Sequence, residues 1–387
     1  MRIMHMMLSC FYIEGFNYQE NALPKQNKLD GHDVRIVAST ETFVDNMKLG
    51  YVQPMAYINE DGIPVSRISY ARWLPKVLMK KVRAYIGVRK ILENYKPDII
   101  FFHGLAALEL LTVSKFKQRH PKTVLFVDSH EDFHNSGRNF LSRYILHRLF
   151  YRSIISLAMK YIDKVLCIST ETMDFVRDNY GMTDSSLELF PLGGSVMDEV
   201  KRKQIREFIR DSHGVTNDSI VIMHSGKLDA RKKTIELLEA FAQINDPRLR
   251  LWLVGSIDET IENDVKQLAE KDRRISLLGW KSARELGDYL VACDLYAQPG
   301  TQSATLQAAL CAAAPIMVFP YSSHQEYVDN NGFYVSSQAE MVEVFKKILD
   351  NPSMLLSMSK NSREIALRLL DYRKLANRMY QIYADII

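Results

Sequence analysis

The sequence predicts an α/β protein built as two doubly wound, parallel-sheet (Rossmann-like) domains facing a cleft. Three observations carry that prediction. The chain has 387 residues, and domains average roughly 150. Short apolar runs alternate with longer stretches of helical spacing, the pattern of a parallel sheet covered on both faces. That alternation stops at a Pro/Gly turn near 190–195 and then begins again.

The first set of runs is MRIMHMML (1–8), VRIVAS (34–39), PDIIFFHG (97–104), TVLFVDSH (123–130) and KVLCIS (164–169). Each is apolar without alternation, as expected of strands buried on both faces. Helical spacing fills the gaps over 20–29, 76–95 and 141–161. The second set is SIVIMHSG (219–226), RLWLVGS (250–256), RISLLG (274–279), LYAQPG (295–300) and PIMVF (315–319). Its helices are expected over 234–243, 261–271, 283–293 and 305–313, and 359–387 reads as one or two more.

Composition narrows the class. Hydrophobic residues make up 47% and charged residues 25%, the ordinary mix of a globular protein. No apolar run approaches the ~20 residues of a spanning helix. The opening MRIMHMMLSCFYIEGF lacks a small-residue cleavage site and meets Glu14 early, so it reads as a first strand with no export implied. Cys10, Cys167, Cys293 and Cys311 stand far apart in apolar surroundings, as reduced thiols of a cytoplasmic protein would. Residues 1–192 hold 25 Lys and Arg against 20 Asp and Glu; residues 193–387 hold 25 against 26. That imbalance is too weak for nucleic acid.

In open α/β sheets ligands sit at the carboxyl ends of strands, so the chemistry is sought there. AQPGTQSATLQAAL (297–310) ends a strand and opens a helix near Ala304. Its small residues Gly300, Thr301, Ser303, Ala304 and Thr305 would let backbone amides cradle a diphosphate. The plainer reading is a strand–helix turn with Ser303 as cap. HSGKLDARKKTIELLEAF (224–241) ends a strand at His224 and sets Lys227, Arg231, Lys232 and Lys233 before a helix. Cations at a helix N-terminus oppose its dipole, which points to an anionic partner. A solvated basic turn is the alternative.

FVDSHEDFHNSGRN (126–139) contains His130, Glu131 and His134 in the H-E-x-x-H order. A zinc peptidase needs that motif on a helix with a further ligand downstream. Here Asn135, Ser136 and Gly137 break any helix, and Phe140 occupies the third-ligand spacing, so no metal is expected. The cluster reads better as polar groups meeting a substrate. Gly15 and Asn17 follow the first strand without G-x-G-x-x-G, and no P-loop occurs. Finally, residues 62–92 carry no acid but eight bases, interleaved with Tyr70, Trp73, Leu74, Val77, Leu78, Met79 and Tyr85. Residues 133–162 also lack acids and carry Arg138, Arg143, Arg148, Arg152 and Lys160. Such stretches suit an anionic membrane surface; an ordinary solvated helix face is the alternative.

In this order the pieces resemble the GT-B glycosyltransferases, specifically the family-4-like enzymes of bacterial capsule, exopolysaccharide and lipopolysaccharide assembly. YQENALPKQNKLDGHDVRIVAS looks like the first helix, GH turn and second strand of that family. SGKLDARKK matches its G-R-L-x-x-x-K-G pattern, with Lys227 in the Arg position and Lys232 in the Lys position. LWLVGS, RISLLGW, DLYAQPGTQSATLQAALCAAAP and NNGFYV follow in family order. The resemblance implies that Lys227 and Lys232 neutralise a donor diphosphate, that His130 contacts the transferred sugar, and that Gly15 lies near donor and acceptor. It implies domains at 1–192 (acceptor) and 216–360 (nucleotide sugar), a linker at 193–215, and a C-terminal helix over 361–387 packing back toward the first domain.

One departure stands out. The family's E-x7-E pair brackets the segment held here by 299–315, which contains no Glu. Gln307 would meet the ribose as a neutral amide. Glu262 and Glu270 have the spacing but lie on another helix. The expected activity is sugar transfer from a nucleotide-diphosphate donor to a saccharide or polyprenyl-linked acceptor for cell-surface polysaccharide. It would use no metal or other cofactor, in the cytoplasm or peripherally on the inner membrane face. For an inverting reaction Asp128, His130, Glu131 or Asp132 is the general base. A nucleotide-sugar epimerase and a catalytically silent binding subunit are the rival readings.

Overall fold

The computed structural model describes residues 1–16, 18–44, 48–73, 75–130 and 150–387. Two compact units emerge: Met1–Pro191 with Leu375–Ile387, and Leu192–Lys374.

In the first unit the chain runs β1 (Arg2–Met7), α1 (Gln19–Leu29), β2 (Asp33–Ser39), β3 (Glu41–Val44), β4 (Lys48–Tyr51), β5 (Met55–Ile58) and β6 (Pro64–Ile68). It continues through α2 (Lys76–Val82), α3 (Val88–Tyr95), β7 (Ile99–Phe102), α4 (Leu110–Arg119), β8 (Val124–Ser129), α5 (Arg152–Ala158), β9 (Lys164–Cys167), α6 (Thr170–Tyr180) and β10 (Leu187–Leu189). Eight strands form one sheet in the order β10-β9-β8-β7-β1-β2-β6-β5. All pair in parallel except β5, which is antiparallel to β6. The apolar runs explain the centre: β7 (IIFF) and β8 (VLFVDS) are buried at every position. The strand order reverses between β1 and β7, so the crevice of the sheet opens there.

Helical spacing over 76–95 is interrupted. Arg83 (φ 55°) and Gly87 (φ 88°) adopt left-handed backbone and separate α2 from α3. Distant partners impose the break: Tyr85 donates its hydroxyl to Leu8 O at 2.9 Å, stacks on Tyr70, and its amide donates to Glu109. Tertiary contacts override a local period that continues through the break.

The second unit comprises α7 (Glu199–Ser212), β11 (Ile220–Leu228), α8 (Thr234–Ala242), β12 (Leu249–Ile257), α9 (Glu262–Lys271), β13 (Ile275–Gly279), α10 (Ala283–Ala292), β14 (Leu295–Gln298), α11 (Thr305–Cys311), β15 (Ile316–Val318), β16 (Gly332–Tyr334), α12 (Gln338–Asp350) and α13 (Met354–Leu369). α14 (Tyr372–Ile386) carries the chain into the first unit. Six parallel strands are ordered β13-β12-β11-β14-β15-β16, so this sheet reverses between β11 and β14.

Two boundaries differ from expectation. Residues 193–215 are not a linker, because α7 is built into the second unit. Arg206 and Arg210 both pair with Asp294, the latter at 2.9 Å, and Arg210 also donates to the carbonyls of Ala292, Thr216 and Ser219. Residues 361–387 are not one helix. Asp371 accepts from Arg373 N and stops the chain between α13 and α14, and only 375–387 belong to the first unit. There Arg378 pairs with Glu188, and Tyr380 donates to Asp30 at 2.8 Å.

Arg210 is 5% exposed, so Asp294→Ala leaves an uncompensated buried cation. Breaking one side of such a pair costs about 3 kcal/mol or more. Urea unfolding followed by tryptophan emission should show that loss; an unchanged midpoint would remove Asp294 from the determinants of this unit.

Candidate functional site

The reversal between β11 and β14 brings two loops of the second unit together. β11 runs past His224 to Leu228, pairing Gly226 with Gly255 and Lys227 with Ser256. Gly226 (φ 127°) and Gly255 (φ 135°) approach so closely that a Cβ on Gly255 would lie 1.9 Å from Gly226 O. Asp229 then accepts from Lys232 N at 3.2 Å and tightens the 230–232 turn.

That turn docks on the one after β14. Thr301 N donates to Arg231 O at 3.0 Å. A Cβ on Gly300 would meet Arg231 O at 2.2 Å and the Lys232 carbonyl carbon at 2.5 Å, so only glycine fits. The Lys232 ammonium donates to Thr301 O and Gln302 O, both at 2.8 Å. Burial pushes its pKa down to about 8; Asp229 opposes the shift and Arg231 reinforces it. Lys232 and the 300–302 turn therefore form one piece. Lys227 does not join them in this way: its side chain is 74% exposed and faces Asp258 at 3.8 Å.

The remaining predicted groups follow on the same turn. Ser303 Oγ accepts from Thr305 N at 3.3 Å and lies 3.1 Å from Thr305 Oγ1. Ser303 is not the N-cap; Ala304 holds that position, and α11 begins at Thr305. Gln307, on α11, has an enclosed Oε1 with no hydrogen-bond partner among the described residues. A hydroxyl donor would satisfy that acceptor.

Beneath the loops His224 is fully buried. It contacts Ala297 O through Nδ1 at 2.8 Å and Thr234 Oγ1 through Nε2 at 3.1 Å. Burial pushes it down to about 4, so a neutral ring ties β11 to β14 and to the start of α8.

A second polar cluster ends the sheet of the first unit at its own reversal. Asp128, on β8, is wholly enclosed. Its Oδ2 meets His103 Nδ1 at 2.7 Å, Gln19 Nε2 at 3.3 Å and His130 Nε2 at 3.4 Å, while Oδ1 accepts from Gly104 N at 2.6 Å. Burial would raise its carboxyl pKa. The charges and hydrogen bonds of His103 and His130 more than reverse that effect and hold it well below the usual carboxylate range. Both carboxylate oxygens of Asp128 are thus already engaged by neighbouring donors. The His130 side chain is 33% exposed. Gly15 (φ 81°) turns the chain between β1 and α1, in a loop held by Asn21 Nδ2 donating to Ile13 O and Phe16 O. Glu131, Asp132 and His134 lie outside the described residues.

Sequence reading passed over His5, Gln19, His103 and Asp229. His103 carried a usable signal, a polar residue directly after the both-faces-buried run IIFF. Asp229 sat inside a basic run that drew attention to its cations. Gln19 and His5 carried none, because Gln19 meets Asp128 and His5 meets His103 only across more than 90 residues of chain.

Comparisons with known proteins give this geometry a context. Residues 205–365 match the model described as "Glycosyl transferases group 1", and residues 23–193 match "Glycosyltransferase Family 4". Both halves of the chain are thus glycosyltransferase domains of the GT-B fold. The α-monoglucosyldiacylglycerol synthase of Acholeplasma laidlawii is 27% identical over 167 residues, 41% of this chain and 42% of that protein. The match thus spans about two-fifths of the curated relative. Among solved structures, Anabaena HepE in complex with UDP superposes with a TM-score of 0.71 at 16% identity over 100% of both chains. Sucrose-phosphate synthase from Thermosynechococcus elongatus gives 0.67 at 16% identity, over 100% of this chain and 98% of that one. A "putative UDP-N-acetylglucosamine 2-epimerase" from Listeria monocytogenes gives 0.59 at 11% identity, over 98% of this chain and 94% of that one. At such identities the likeness is one of fold alone, and one fold can host different activities.

Gly300→Ala tests the docked turns of this GT-B domain. The added methyl must push the 300 turn off Lys232, and the variant should lose about 2 kcal/mol of stability. A melting temperature equal to the wild type would mean that the turns do not pack as described.

Proposed function

We propose that this protein transfers a sugar from a nucleotide-diphosphate donor to a saccharide or lipid-linked acceptor in cell-surface polysaccharide synthesis. The observation that carries the reading is the Lys232 ammonium lodged on the 300–302 turn at the reversal of the second sheet. Sugar transfer expels a diphosphate, so catalysis must stabilise growing negative charge. A cation held in place by backbone carbonyls, beside a turn too tight for any side chain at 300, supplies that without reorganisation. Lys227, standing free of the turn in solvent, would close on the outer phosphate. The role needs no metal, because ammonium groups and backbone amides provide the charge. Gln307 Oε1 would accept from a ribose hydroxyl. His130, anchored by Asp128, would contact the transferred sugar, with Glu131 and Asp132 as the remaining bases for an inverting route. HepE, which adopts this fold, was solved with UDP, and this supports a uridine donor.

A lipid-linked acceptor at the inner membrane face is supported by the acid-free stretch at 62–92. Trp73 and Val77 are exposed there, as are Leu78 and Ile86, next to exposed Arg72, Lys81, Arg89 and Lys90. Met79, fully buried, anchors α2 from below. The matched relative is named for a product built on diacylglycerol. Among the described residues no helix is long and apolar enough to cross a membrane.

Pure protein incubated with a panel of nucleotide sugars and isolated acceptors should incorporate sugar into the acceptor. Altered free nucleotide sugar would favour an epimerase, and neither product would favour a silent subunit. Lys232→Ala with Lys227→Ala should weaken nucleoside-diphosphate binding tenfold or more by calorimetry, since each charge-assisted bond contributes about 1.5–3 kcal/mol. The pH dependence has a definite sign. Lys232 in the free protein loses its proton near pH 8. Binding an anion must recover that proton above pH 8, so affinity should fall as pH rises past this point. Lys232→Arg, always charged, should bind equally from pH 7 to 9.

Co-sedimentation with anionic vesicles tests the acceptor side. Binding should fall with salt, and Lys81→Ala, Arg89→Ala and Lys90→Ala together should weaken it at least tenfold, at about 1 kcal/mol per cation. Indifference to lipid charge and salt would refute membrane docking through this stretch.

A further inference from the structure

The first unit buries more polar chemistry than sugar transfer requires. His5, in the middle of β1, His103 and Asn27 are each 0% exposed, like Asp128. They form a continuous relay. Asp128 Oδ2 meets His103 Nδ1 at 2.7 Å, His103 Nε2 meets His5 Nδ1 at 3.1 Å, and His5 Nε2 meets Asn27 Oδ1 at 2.8 Å. Asn27 Nδ2 donates to the Tyr380 hydroxyl at 2.7 Å, and that hydroxyl donates to Asp30 at 2.8 Å.

Counting protons along this relay leaves little freedom. An exposed aspartate at neutral pH only accepts. The Tyr380 hydroxyl, its pKa pushed up by burial, keeps its proton and gives it to Asp30. Tyr380 can then only accept from Asn27, which fixes the amide with Oδ1 toward His5. His5 Nε2 must therefore carry a proton. At the other end the Asp128 carboxylate requires one on His103 Nδ1. The contact between the rings needs a third; without it two lone pairs would face each other at 3.1 Å in a dry interior. Four ring nitrogens thus hold three protons.

We infer that His5 and His103 jointly carry one positive charge from neutral pH upward, matching the Asp128 carboxylate, and that this closed arrangement makes Asp128 a positioning residue for His130. Burial, then the charge of His103, pushes His5 down to about 3. The other titratable groups around His5, His103 and Asp128 do not replace that proton. Cys167 of β9 is pushed up to about 12 by burial, and Cys10 is pushed up likewise, so both stay neutral thiols. Glu20 of α1 and Arg83 after α2, which act on Cys10, are of opposite sign, and Arg177 of α6 acts on Cys167. The relay also ties the strand-end cluster to α14 through Tyr380, so the returning helix takes part in fixing the Asn27 amide. The proton count follows from the hydrogen-bond geometry with Tyr380 protonated and Asp128 ionised; the positioning role rests on the transferase reading.

The test is NMR of the full chain labelled with ¹⁵N-histidine at pH 8.5, where exposed histidines are neutral. One of the ten histidines should show both ring nitrogens protonated and slow to exchange, and should do so in His130→Gln as well. No such ring, or its disappearance in His130→Gln, overturns the inference. In folded Asp128→Asn the signal should vanish, because the matching charge is gone; its persistence also overturns it. For the positioning role, Asp128→Asn should lower the transfer rate at least tenfold while leaving the pH midpoint of that rate in place. Loss of the rate's base-dependent limb would instead make Asp128 the base. If the wild type transfers no sugar while the doubly protonated ring is seen, the transferase reading fails and the buried charge stands.

Discussion

Much in the second unit depends on how one turn lies on another. The 230–232 turn and the 299–302 turn come from strands that are neighbours only because the sheet reverses between β11 and β14. Their contact leaves no space for a Cβ at Gly300, and it places the Lys232 ammonium on two backbone carbonyls. Neutral His224 and buried Thr234 hold the same two strands from below. A cation already desolvated and oriented in this way can meet an anion without rearranging, and this is the condition under which electrostatic stabilisation is most effective.

The first unit solves a related problem in the opposite sense. Its reversal point between β1 and β7 encloses a carboxylate, which would be costly alone in an apolar sheet. The charge is matched by an imidazole pair and a backbone amide, so the strand ends acquire a rigid polar cluster rather than an exposed acid. Each unit therefore places its polar groups where its strand order reverses, one around a cation and one around a neutralised anion.

The architecture was largely legible in the sequence. Runs such as IIFF and VLFVDS could only be strands buried on both faces, and their alternation with helices implied parallel sheets. Local signals failed where distant residues decided. The helical period across 76–95 continues through Arg83 and Gly87, yet Tyr85 is drawn away by Leu8 and Glu109. The charged segment after Pro191 reads as a tether, but Arg206 and Arg210 find Asp294 and make it part of the second core. Lys227 and Lys232 look equivalent in the sequence, and only Lys232 is turned onto the neighbouring turn.

The sequence by itself determined the class of fold, the approximate place where each sheet restarts, and the loops that carry polar chemistry, because periodicity and strand-end position are local properties of the chain. Which polar groups meet was decided only by the tertiary structure. His5, Asn27, His103, Asp128 and Tyr380 come from five separate elements or their ends, and nothing in their spacing marks them as partners. Hydrogen bonding and charge depend on approach within a few ångströms, and that approach is set by packing over the whole unit.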